Sequence, residues 1–91
     1  MTQQELQKTI ERIEKMEWCF DTVSAALEKD PTAARSSPLC HALVRALLRY
    51  YEGAVWRADY AADEAGLLPA TLKRGVLSED GVYNFLTEWE E

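Results

Sequence analysis

Histidine is nearly missing from this chain, with one copy, His41, among 91 residues. Acid–base catalysis at neutral pH would lean on that single imidazole, since no other side chain titrates there unperturbed. Cysteine is scarce too, with Cys19 and Cys40 far apart. That spacing excludes a CxxC zinc or redox site and a disulfide framework, and it leaves reduced, buried thiols as the expectation. Cys40 directly precedes His41, but helix neighbours point about 100° apart and do not form a dyad. Cys19 paired with His41 across helices is the one remaining nucleophile–base option. No hydrolase elbow, phosphate loop or zinc pattern is present, so no catalytic residue, metal or cofactor is expected. The opening MTQQELQKTI lacks an apolar signal core, and no run approaches membrane-spanning length. The chain reads as cytoplasmic, with no membrane partner.

Positive charge is also in short supply. Ten Lys and Arg face sixteen Asp and Glu, a net charge of −6. That argues against nucleic acid, whose binding needs a basic footprint to release counterions. Residues 1–30 carry seven acids and four bases, 31–57 one acid and four bases, and 58–91 eight acids and two bases. A cationic middle between anionic ends predicts that the three parts attract one another.

What the chain does have is apolar content, 47% hydrophobic with nine aromatics. This is a globular composition, sized for one domain spanning 1–91. Leu6, Ile13, Phe20 and Leu27 recur at sevens within residues 3–29, with Ile10, Met16 and Val23 filling the stripe. The repeat predicts a long helix that wraps its neighbour with left-handed geometry. Glu11–Lys15 and Lys8–Arg12 fall on its outer face. Trp18 projects from the polar side, either as a lid over a returning loop or as an intermolecular contact.

DPTAARSSP, residues 30–38, reads as a break, because Asp30 precedes a proline. Ser37 then caps a second helix with Pro38 in its first turn. From Leu39 to Ala54 only His41, Arg45, Arg49 and Glu52 make a polar strip, which marks a buried central helix. Continuing that helix past Gly53 would put Arg57 on the apolar face, so a bend is expected there. The next helix carries Trp56 and Tyr60 one turn apart and stops at Gly66.

Residues 50–86, YYEGAVWRADYAADEAGLLPATLKRGVLSEDGVYNFL, resemble the domain-of-unknown-function family 4298, small bacterial and phage proteins of about this length. The likeness rests on Tyr50–Tyr51, Trp56, Asp59, Asp63–Glu64, Gly66, Leu68–Pro69 and the run Leu72 to Tyr83. It covers roughly the C-terminal 40% of the chain. The resemblance implies an all-helical fold and no known activity.

The stretch LKRGVLSEDGVYNFL, residues 72–86, is densest in special residues. Pro69 can open a helical turn that Gly75 closes in the left-handed conformation. Ser78 suits the cap of a last helix running to Trp89, with Glu79 and Asp80 in its first turn and Leu77 and Val82 stapling it. Lys73, Arg74, Gly81 and Tyr83 are left over. Gly81 inside a helix costs about 1 kcal/mol against alanine, which points to a close backbone or ligand approach. Asp59, Asp63 and Glu64 either pair with Lys73, Arg74 or the Arg45/Arg49 strip, or gather for a divalent cation.

These readings predict an all-α small bundle. A long N-terminal helix packs antiparallel on a buried central helix, followed by two shorter C-terminal helices. The expected function is a non-enzymatic protein–protein interaction module, with a protein partner or a second copy. The candidate contacts are Trp18, Tyr51, Trp56, Asp59, Asp63, Lys73, Arg74, Gly81 and Tyr83. The alternative is a small ligand- or divalent-metal-binding protein using Asp59, Asp63 and Glu64 with Lys73 and Arg74.

Overall fold

The computed structural model describes residues 1–90. They form an all-α bundle: α1 Gln3–Lys29, α2 Pro31–Ser36, α3 Pro38–Glu52, α4 Ala54–Glu64, a 3₁₀ turn Gly75–Leu77, and α5 Glu79–Glu90. A helix of 27 residues is about 40 Å long at 1.5 Å per residue, so α1 sets the long axis of a 43 × 23 × 21 Å molecule.

Local side-chain caps start every helix but α4. Thr2 Oγ1 accepts from the Glu5 amide, Asp30 from Ala33, Ser37 from Cys40, and Ser78 from Gly81. Each satisfies one of the backbone donors that a helix start leaves free. Residues 31–36, expected as a plain break, are instead helix α2. Asp30 is extended, as a residue before proline should be, and in that conformation its carboxylate caps the helix that Pro31 opens. The same grammar recurs at Ser37 and Pro38, as the sequence predicts.

Gly53 is extended between α3 and α4 and supplies the expected break. Past α4, Gly66 takes φ +73, and it is the only positive-φ residue among those described. Its amide bonds the Asp63 carbonyl while the Leu67 amide bonds Ala62, a Schellman closure that needs a left-handed residue. Gly75 differs from expectation. It has no positive φ, and it opens the 3₁₀ turn instead of closing a helix.

α1 and α3 run antiparallel. Ala26 and Cys40 line one cleft at one end, while Arg12 and Tyr50 bond the same carboxylate at the other. The core between them holds Ile13, Cys19, Val23 and Leu27 of α1 with Cys40, Val44 and Leu47 of α3. α5 closes the bundle through Val82 and Phe85, with the Phe85 ring 5.0 Å from that of Phe20. Arg35 of α2 donates to the carbonyls of Glu88 at 2.7 Å and Trp89 at 3.1 Å, and so caps the end of α5. A cation at a helix C-terminus also meets the negative end of its dipole. No helix among the described residues is long and apolar enough to cross a membrane.

Candidate functional site

Four α1 residues, Glu14, Glu17, Trp18 and Asp21, stand within two turns of one another on one side of the helix, as spacings of three, four and seven require. The connection from Pro69 to Lys73 returns along that side. Together with Ile10 they enclose an open groove of about 400 Å³, lined also by Pro69, Thr71, Leu72 and Lys73. Trp18 stays 57% exposed within it. The loop returns beside the indole without covering it.

The loop is held from beneath. Glu17 is 6% exposed, and its Oε1 accepts the Val76 amide at 2.6 Å. A Cβ on Gly75 would stand 3.3 Å from that oxygen, so glycine lets the carboxylate come this close. Trp56 donates its indole N–H to the Val76 carbonyl at 2.8 Å, which fixes the other side of the same residue. Arg74 bonds the Asp63 carboxylate and donates to the carbonyls of Pro69 at 2.6 Å and Leu72 at 3.3 Å. One guanidinium thus ties the loop's own backbone to α4.

At the groove's edge Lys73 Nζ lies 2.9 Å from Asp21 Oδ2, with both side chains open to water. The hydrogen bond from Lys73 to Asp21 raises the ammonium's pKa above its ordinary value. Three carboxylates against one ammonium leave the groove acidic.

Behind the loop the expected surface acids have other duties. Asp59 is 1% exposed and receives both Arg12 nitrogens, Nε at 2.9 Å and Nη2 at 2.6 Å, and the Tyr50 hydroxyl at 2.7 Å. Arg12 is therefore not on the outer face; it turns inward, and its bond to Asp59 raises its own pKa. Asp63 pairs with Arg74, as the pairing alternative expected, whereas Asp59 pairs with Arg12 and not with Lys73, Arg74 or the Arg45/Arg49 strip. Glu64 lies beside Tyr60, and its carboxylate raises the phenol's pKa. No three His, Cys, Asp or Glu side chains among the described residues gather to hold a metal ion. The attraction expected of the cationic middle takes another form. Among the described residues the ion pairs join α1 to the C-terminal third or lie within that third, and the middle's Arg35 bonds carbonyls.

Trp56 is a core residue rather than an outward contact. It is buried between Tyr51 and Tyr60, with ring centroids 5.0 and 5.2 Å away. Gly81 does allow a close backbone approach, but an internal one: a Cβ there would meet Ser78 Oγ at 3.3 Å and the Gly75 carbonyl at 3.5 Å. Tyr83 is 67% exposed on α5 and lies outside the groove. Of the suspected residues, only Trp18 and Lys73 meet in one concavity. Cys19 and Cys40 are both buried, burial raises the Cys19 thiol's pKa, and His41 Nε2 is 2.6 Å from the Arg35 carbonyl. The thiols and the imidazole do not form a nucleophile–base pair.

Glu14, Glu17 and Asp21 were not singled out from sequence. Glu17 did leave a signal, because it stands four residues after Ile13, in line with a fully buried position, where an acid is rare unless bonded.

Comparison with known families decides the assignment. A family model described as a domain of unknown function, DUF4298, matches residues 13–91. The chain belongs to the DUF4298 family. The match corrects the extent of the resemblance, since it begins inside α1 rather than at Tyr50 and takes in every acid of the groove. No curated protein and no solved structure matches this DUF4298 chain.

Proposed function

We propose that this DUF4298 chain is a non-enzymatic protein–protein interaction module whose contact face is the groove beside Trp18. One observation carries the reading. A tryptophan that the fold could have buried stands 57% exposed in a concave site built by a pinned loop. Exposed aromatics in a rigid concavity are typical anchors of protein contacts, because they offer large area at small entropic cost. The burial of both thiols and the engagement of His41 with the Arg35 carbonyl support a non-enzymatic role. The competing reading, a ligand or divalent-cation binder at Asp59, Asp63 and Glu64, draws on two carboxylates already bonded to Arg12 and Arg74. That favours the interaction reading.

Size-exclusion chromatography with light scattering, combined with a pull-down from a bacterial lysate, tests it. The expected result is either a dimer or a captured protein, lost in Trp18→Ala. A strict monomer that captures nothing contradicts the proposal.

A further inference from the structure

We infer that the groove beside Trp18 receives a short basic segment of a protein partner, an inference that rests on the interaction reading and names the partner's chemistry. Charge gives the first argument. Glu14 and Asp21 on the rim, with buried Glu17 beneath the loop, meet Lys73 alone, so an acidic or phosphate-bearing partner is repelled and a cationic one is drawn in.

The molecule itself gives the second argument. Lys73 already places an ammonium 2.9 Å from Asp21 at the groove's edge, which shows the kind of group this rim accepts. Because both partners are open to water, the pair is weak and exchangeable, and an incoming Lys or Arg can replace or flank Lys73. Glu14 has no such partner among the described residues.

Surface chemistry gives the third argument. The indole of Trp18 lies on the helix between Glu14 and Asp21, where a cation can rest on the ring face beside a carboxylate. Ile10, Leu72 and Pro69 add an apolar floor that a free metal ion or small polyamine would not use, so the occupant carries an apolar side chain as well. Glu14 and Asp21 are seven residues apart, about 10 Å along α1. Two basic residues with that separation, two turns apart on a helix or about three apart in an extended chain, match the two rim acids.

The test is selection of a random-peptide phage library on the immobilised full chain, followed by fluorescence polarisation with synthetic copies of the enriched peptides. Enriched peptides should carry at least two Lys or Arg with an apolar residue between them. Their affinity should fall about tenfold or more in Glu14→Gln/Asp21→Asn and in Trp18→Ala, at unchanged melting temperature, and weaken with added salt. The variants alter exposed side chains, so folding is not at stake. Acidic or neutral winners, or basic winners indifferent to these changes, overturn the inference. Winners lost instead in Arg45→Ala/Arg49→Ala move the docking face to α3 and overturn it equally. With no enriched peptide, the basic-segment inference fails; a dimer or captured protein in the light-scattering and pull-down experiment would then leave the interaction reading standing alone.

Discussion

Arg12 and Asp59, 47 residues apart in sequence, meet in a two-point bond, Nε to Oδ2 at 2.9 Å and Nη2 to Oδ1 at 2.6 Å. The Tyr50 hydroxyl completes the carboxylate's shell at 2.7 Å. One buried acid thus joins α1, α3 and α4.

Asp59→Ala strips three donors of their acceptor. Breaking a fully buried pair costs about 3–5 kcal/mol, but the Arg12 side chain keeps 35% exposure and can turn to water, so a loss of about 2–4 kcal/mol is expected. Urea denaturation followed by circular dichroism measures it. A loss below about 1 kcal/mol would mean that the triad does not hold the helices together.

Tyr50 makes stability sensitive to alkali. Burial first, and then its bond to Asp59, push the phenol well above its ordinary value of 10. Below that value both folded and unfolded chains keep the proton, and Tyr50's contribution is present in full. As pH rises above it, the unfolded chain releases the proton and the folded chain does not, so stability falls by up to about 1.4 kcal/mol per pH unit. Tyr50→Phe should lower stability at pH 7 by about 1 kcal/mol and flatten the slope between about pH 10 and 11. Parallel pH profiles for the two proteins would contradict this.

Glu17 is predicted to latch the loop. Glu17→Ala frees the Val76 amide and should cost about 1–3 kcal/mol. Limited trypsin digestion gives the sharper readout, since cleavage after Lys73 and Arg74 should speed up while cleavage after the α3 arginines does not. Equal rates at both places would show the loop held without Glu17.

Gly66→Ala should destabilise by about 1–2 kcal/mol, because a Cβ strains the left-handed conformation. Space is not the issue, as nothing lies within 4 Å of that position. Gly66→Asn should therefore cost less than Gly66→Ala, and the reverse order of melting temperatures would refute the conformational explanation.

How legible each feature was depends on the range of the interaction behind it. Ser37–Pro38, Gly53, Gly66 and Ser78 act within a few residues, so the caps and breaks they make could be read from the chain alone. Asp30–Pro31 carries the same signal as Ser37–Pro38: proline bars helix at the residue before it, which reads as a break, yet that same extended residue caps the helix that follows. Arg12–Asp59 and Glu17–Val76 span 47 and 59 positions. No local rule chooses their partners. Trp18 and Lys73 were each marked by standing outside the apolar pattern, but only the loop's path, set by Glu17 and Arg74, brings them into one groove.

The most direct measurement of the central claim is photo-crosslinking from the groove itself. Trp18 is replaced by a photoreactive benzophenone amino acid, with Tyr83, exposed outside the groove, replaced likewise as the control, and each protein is irradiated in a bacterial lysate. A protein adduct formed from position 18 and not from position 83 is the predicted result; no adduct from position 18, or equal adducts from both, would contradict it.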